Sequence, residues 1–178
     1  MGKKIVQSET KTDRHGLIPF FRQIAADHPD PDSILFLCIG TDRSTGDAYG
    51  PLVGTMLQRQ GWSVLGTLEH PCDADTLRDA LREAERYSVV IAVDACLGKP
   101  GSAGMYRCRR GPLRPGEATS AGLPPIGHYS VAGIVGENGP KPYWILQTAS
   151  LHRVIQMAEH TAEAVEAAWH SASIADYA

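Results

Sequence analysis

The 178-residue chain has no apolar run approaching the ~20 residues a membrane span needs, so no membrane association is expected. It has no charge excess either. Seventeen Lys and Arg against 20 Asp and Glu leave a formal net charge of −3, which argues against general nucleic-acid binding. The one basic cluster, Arg107, Arg109, Arg110 and Arg114, alternates as the solvated face of a strand would. Cys38, Cys72, Cys96 and Cys108 show neither CxxC spacing nor a zinc-ligand pattern, and reduced thiols in a reducing compartment are the default. Lys3 and Lys4 adjoin no apolar segment, so no secretory leader is expected. Both glycine signatures of nucleotide binding, G-x-x-x-x-G-K-[ST] and G-x-G-x-x-G, are missing.

What remains is an ordinary globular composition, 43% hydrophobic and 21% charged. The length suits a single domain over residues 1–178. Residues 1–15 are polar and read as a disordered tail. Helices are expected over 16–28, 48–60, 73–87 and 150–170, the third carrying Leu77, Ala80, Leu81 and Ala84 as an apolar stripe. Strands are expected over 34–39, 62–68 and 88–94. Further strands are expected over 104–110 at the sheet edge, over 128–135 and, more weakly, over 143–147. Residues 111–127 are rich in Gly and Pro and read as a long loop. Strands alternating with helices predict an α/β protein, a three-layer α/β/α sandwich with a largely parallel central sheet.

Function is expected in the segment Gly40-Thr41-Asp42-Arg43-Ser44-Thr45-Gly46-Asp47-Ala48-Tyr49-Gly50-Pro51, which leaves one apolar strand and enters a helix. A second acid, Asp94, ends another apolar run. In open α/β sheets ligands bind outside the carboxyl ends of strands, so Asp47 and Asp94 are the candidate catalytic pair. Asp47 can alternatively cap the helix, and Asp94 can simply terminate its strand. Two close carboxylates separate their proton affinities, one holding a proton while the other acts as base. Such a pair can activate water against a peptide carbonyl, or it can hold a divalent metal with Asp42 as a third ligand. Gly40, Thr41, Asp42, Arg43, Ser44 and Gly46 are candidate substrate-binding residues, their backbone orienting a substrate or an oxyanion. Cys96, two residues after Asp94, is a candidate thiol in the same site. His152 and His160 lie eight apart on the last helix, on a face expected to be solvated, and His128 precedes a strand.

The run Cys38 to Asp47 with Gly50-Pro51-Leu52-Val53-Gly54 resembles the YyaC-type sporulation proteins, often named as spore proteases. So do Gly66-Thr67-Leu68, Asp94-Ala95-Cys96-Leu97-Gly98, Gly111-Pro112-Leu113-Arg114-Pro115-Gly116, Leu123-Pro124-Pro125-Ile126-Gly127 and Gly133-Ile134-Val135. The resemblance spans about residues 34–165. More distantly the chain is similar to the germination protease of spores and to the hydrogenase maturation proteases. The germination protease carries its two proposed catalytic aspartates in a D-A-x-G-P loop and a D-A strand-end motif; these fall on Asp47-Ala48-Tyr49-Gly50-Pro51 and Asp94-Ala95. The resemblance implies a peptidase acting on a protein or peptide in sporulation or germination. It also implies a cytoplasmic, forespore or spore location, no required cofactor and a possible oligomer. Hydrogenase maturation proteases recognise nickel in their substrate with a later His. None occurs here between Asp94 and His128, so nickel recognition is not expected. A non-catalytic sporulation protein that retains the fold is the remaining alternative.

Overall fold

The computed structural model describes residues 9–114 and 125–175, with side chains as far as residue 170. One six-stranded sheet organises them, in the order β1-β5-β6-β4-β2-β3. The strands are β1 (Glu9–Thr12), β2 (Ile34–Cys38), β3 (Ser63–Leu65), β4 (Val89–Gly98), β5 (Tyr106–Arg109) and β6 (Tyr129–Glu137). β3, β2, β4 and β6 pair in parallel, while β5 is antiparallel to both β6 and β1. The expected largely parallel α/β/α sandwich is therefore the observed fold.

The layers follow from alternation. Ile34, Phe36 and Cys38 of β2, with Val89, Ile91 and Val93 of β4, face a core shared with three helices: α1 (Arg14–Asp27), α2 (Tyr49–Arg59) and α5 (Leu151–Ala175). Leu35, Leu37, Val90 and Ala92 face the other way, onto α3 (Leu77–Ala84) and onto Ile126. Both faces of β2 and β4 are covered, which is why their sequences run apolar without interruption. The larger layer is pinned by polar bonds inside its core. The Tyr49 hydroxyl meets Thr161 Oγ1 at 2.9 Å, joining α2 to α5, and Trp169 Nε1 donates to the His28 carbonyl at 3.1 Å. That second bond places the end of α5 at the amino ends of the parallel strands, so α5 begins at their carboxyl ends.

Three expectations are corrected. Residues 9–12 are an edge strand and not part of a disordered tail; β1 covers β5, which is therefore no longer the edge. Its Glu9 sits opposite Arg109 and accepts from it at 2.6 Å, so a wholly polar strand is held by its ladder and by charge. Residues 143–147 lie in a helix, α4 (Pro142–Gln147), whose first position is taken by a proline pre-set for helical φ. Asp94 does not end its strand, because β4 continues to Gly98. The expected loop 111–127 falls largely on residues outside those described, although Leu113 and Ile126 at its two ends pair with each other. Three arginines of the cluster are matched by acids: Arg109 and Arg107 by Glu9, and Arg110 by Asp27.

Candidate functional site

β2 and β4 pair only as far as Cys38 and Val93. Ile39 makes one more bond to β4, its N–H donating to the Val93 carbonyl at 2.7 Å, and the chain then turns away at Gly40. β4 runs on for five residues, from Asp94 to Gly98, paired with β6 alone. The first residue past the end of β2 is Asp94. Here the chain leaves β2 for β3 on one side and returns to β4 on the other, the crossover point at which open parallel sheets collect ligands.

The loop between β2 and α2 folds into the space that β2 vacates. Gly40 N–H donates to the Cys72 carbonyl at 2.9 Å, Thr41 N–H to the Asp47 carbonyl at 3.3 Å, and Gly46 N–H to the Leu146 carbonyl of α4 at 2.8 Å. Ala48 N–H reaches back to the Ser44 carbonyl at 3.0 Å, closing a turn over residues 44–48. Two glycines let the chain pass this closely. A Cβ on Gly40 would lie 2.0 Å from the Asp47 carbonyl oxygen, and Gly40 has φ +146°, where L-residues are strained. A Cβ on Gly50 would lie 2.0 Å from the Ile39 carbonyl oxygen. Arg43 is exposed and reaches Asp73 Oδ2 at 3.2 Å, tying the loop to the segment before α3.

Asp47 closes this loop at the entry to α2, at the end of the sheet where β2 stops and Asp94 follows in β4. The helix α2 starts with Ala48 as N-cap and no side-chain capping bond, so the capping role considered for Asp47 is not the one it has. Asp94 is half-buried, and its Oδ1 accepts from the Ala95 N–H at 2.8 Å. Burial pushes its carboxyl up to about 8; the Ala95 bond opposes this and the charge of Asp47 adds to it. Burial also raises Asp47, opposed by the Ser44 hydroxyl. At neutral pH such a pair keeps a proton on Asp94.

The remaining candidates divide. Ser44 is buried, Thr41 and Cys96 are half-buried, and Asp42 is exposed. The N–H groups of Gly40, Thr41, Arg43 and Gly46 already donate within the protein, so these four are not available as oxyanion donors in this conformation. Cys72 was not singled out by the sequence, yet it belongs to the site: its carbonyl anchors Gly40, and the charge of Asp94 acts on its thiol. Burial first, then Asp73 and Asp94 against a Thr76 bond, pushes that thiol up to about 12, far from a reactive thiolate. Only long-range contact links Cys72 to the site, and no local motif signals it. His160 lies half-buried near Tyr106, 3.4 Å from its hydroxyl, while His152 is exposed. His128 accepts the Val90 N–H at Nδ1 and is thereby fixed four residues before Asp94 in the register of β4, about 13 Å away along the strand. It borders a separate open groove of about 410 Å³ with Leu81, Tyr87 and Ile126, at the amino ends of the strands. Among the described residues no three His, Cys, Asp or Glu side chains come together to hold a metal ion.

A family profile described as "Protein of unknown function (DUF1256)" matches residues 6–164. The chain belongs to this family. The DUF1256 match begins well before residue 34, so the strand β1 and helix α1 lie inside the family region. The chain is 41% identical over 136 residues to "Uncharacterized protein YyaC" of Bacillus subtilis (strain 168), covering 73% of this chain. That match spans 66% of YyaC, just under two thirds of its length. The resemblance to YyaC-type proteins read from the motifs is thus a family relationship. Among solved structures, this DUF1256 chain is similar to the crystal structure of a [NiFe] hydrogenase maturation protease HycI from Thermococcus kodakarensis KOD1. The identity is 21% and the TM-score 0.47, covering 75% of this chain and 92% of that one. No helix of the described residues is long and apolar enough to cross a membrane.

Proposed function

We propose that this protein is a peptidase of sporulation or germination in which Asp47 and Asp94 activate water. The observation that carries the reading is the unequal pair of acids where β2 ends and β4 runs on past it, with burial raising Asp94 to about 8. Asp47, the ionised partner, takes a proton from water as that water attacks the scissile carbonyl. Asp94 gives its proton to the carbonyl oxygen, forming a gem-diol; as the C–N bond breaks, the proton on Asp47 goes to the departing amine and one diol hydroxyl returns a proton to Asp94. Acid and base on neighbouring groups with separated affinities are what this chemistry requires.

The surface around the pair suits a polypeptide substrate. The exposed large apolar side chains among the described residues are Leu68, Tyr143, Trp144 and Leu151, at 36%, 61%, 62% and 58% exposure. Leu68 follows β3, Tyr143 and Trp144 follow β6, and Leu151 starts α5. All four therefore lie at the end of the sheet that carries the carboxylates. Apolar side chains left uncovered on one end of a molecule mark a contact surface. The same two acids would serve a metal-dependent hydrolase as oxygen ligands to a hard cation.

The test is incubation of spore-coat proteins and small acid-soluble spore proteins with wild type, Asp47→Asn and Asp94→Asn, with chelator present throughout. Cleavage is expected from wild type and a loss of about 10²–10⁴-fold in each variant. Equal cleavage by all three removes the pair from catalysis.

A further inference from the structure

The corner between α4 and α5 combines exposed apolar side chains with exposed cations. Ile145 and Leu146 of α4 turn into the core, while Tyr143 and Trp144 stay outside, at 61% and 62% exposure. Leu151, the first residue of α5, is 58% exposed. Lys141, just before α4, and Arg153, in the first turn of α5, are exposed as well. No Asp or Glu occurs between Glu137 and Glu159. Lys99, also exposed, joins them from the end of β4. The Asn138 N–H donates to the Gly98 carbonyl at 2.7 Å, which brings the segment leading to Lys141 alongside it. Among the described residues Lys99, Lys141 and Arg153 form no ion pair, and the carboxylate of Glu137 is turned to the Gly101 N–H at 2.8 Å. The chain as a whole carries a net charge of −3, so this cationic corner is not the background of a basic protein.

The corner is tied to the acids. The Leu146 carbonyl of α4 accepts from Gly46, the residue before Asp47, at 2.8 Å. A Cβ on Gly46 would also lie 2.8 Å from that oxygen, so α4 packs directly on the loop that carries Asp47. A chain held on α4 lies beside that loop. Apolar surface alone accepts many partners; charge around it decides which of them dock. Cations beside two exposed aromatic rings suit a segment that offers apolar side chains to the rings and carboxylates to the ammonium and guanidinium groups. A lipid surface is a poorer match, because α4 itself carries no Lys or Arg, whereas a helix that lies on a membrane is rich in them on its polar face.

We propose that this corner is the docking surface for the substrate and that it selects acidic polypeptides, in which carboxylates alternate with apolar side chains. The assignment rests on the peptidase reading above and adds the substrate class, which the pair of acids leaves open.

The experiment is fluorescence-anisotropy binding to the full chain carrying Asp47→Asn, so that a bound peptide stays intact. The probes are fluorescein-labelled short peptides of leucine and phenylalanine alternating with glutamate, with glutamine or with lysine. The glutamate peptide is expected to bind about tenfold more tightly than the glutamine peptide at low salt, and the lysine peptide most weakly. The preference should shrink as salt rises. Lys99→Gln, Lys141→Gln and Arg153→Gln combined should bring the glutamate peptide down to the glutamine peptide. Tyr143→Ala with Trp144→Ala should weaken both alike. These side chains are exposed, so urea midpoints should match that of the parent chain. Equal affinity for glutamate and glutamine peptides, or a preference that survives the triple substitution, overturns the proposal. So does binding to phosphatidylglycerol vesicles with no peptide bound, which makes the corner a lipid contact. A concentration-dependent dimer in sedimentation that Trp144→Ala abolishes overturns it too, in favour of a contact between copies. Wild type separates the two readings. Docking of the glutamate peptide without cleavage keeps the docking surface and counts against the peptidase. Cleavage of glutamate and glutamine peptides with equal kcat/KM keeps the peptidase and removes the acidic preference.

Discussion

Replacing Asp94 by Asn should make the protein more stable, and increasingly so as pH rises. A carboxyl in the unfolded chain titrates near 3.9, whereas burial in the fold holds Asp94 to about 8. Below both values the group is protonated in either state and costs nothing. Between them the unfolded chain releases its proton while the fold keeps it, so stability falls with rising pH and levels off above about 8. From pH 5 to pH 9 the fold thus loses about three units at ~1.4 kcal/mol each, an upper bound of about 4 kcal/mol. Asp94 is half-buried, and water reaching it lowers that to about 2 kcal/mol. Asparagine has nearly the same shape, has no charge to desolvate, and its carbonyl can still accept the Ala95 N–H that now bonds Oδ1. The advantage of Asp94→Asn over wild type in urea unfolding should therefore grow by about 2–4 kcal/mol between pH 5 and pH 9. A difference that is flat across this range, or a variant less stable than wild type at pH 9, would refute the claim that the carboxyl is held protonated.

Other outcomes follow from the same geometry. Gly40→Ala sets a Cβ 2.0 Å from the Asp47 carbonyl oxygen; it should cost about 3 kcal/mol or more in denaturant unfolding and abolish cleavage by displacing Asp47. Gly61→Ala is its control, since φ is +92° but nothing lies within 4 Å of the added atom. It should cost only about 1–2 kcal/mol and leave activity intact. Trp144→Ala removes a side chain that is 62% exposed, so thermal stability should change by less than about 0.5 kcal/mol. If Trp144 contacts the substrate, KM should rise about tenfold with kcat unchanged, equivalent to ~1.4 kcal/mol of binding.

Much of this could be read from the chain because the covered parts of the sheet leave strong patterns. The run Ile34 to Ile39 reads as a strand buried on both faces, and its first five residues are one. Asp47 and Asp94 stand out because one enters a helix beside glycines and the other interrupts an apolar run, and the parallel pairing of β2 with β4 puts both at the end of β2. Failures occur where tertiary context decides. Tyr143, Trp144, Ile145 and Leu146 have strand-forming side chains, but Pro142 opens a helix and Ile145 and Leu146 turn inward beside β6 while the aromatics stay out. Glu9 to Thr12 has no apolar alternation at all; its signal is the charge match between Glu9 and Arg107 and Arg109, nearly one hundred residues away.

The same distinction bears on the site. A strand that ended at Asp94 would leave its side chain in solvent, where a carboxyl keeps its ordinary affinity for protons. Because β4 runs on to Gly98 and the Gly40 loop packs into the gap left by β2, Asp94 is enclosed from both sides and its affinity rises. The glycines contribute through that enclosure: they bring backbone against backbone tightly enough to bury two acids together, and their amides are consumed in doing so. Asp47→Asn and Asp94→Asn should accordingly differ. The first removes the ionised base and leaves a proton on its neighbour. The second removes a carboxyl that is already neutral while Asp47 titrates, so the titration of Asp47, followed by carboxyl-carbon NMR of aspartate-labelled protein, should stay where it is.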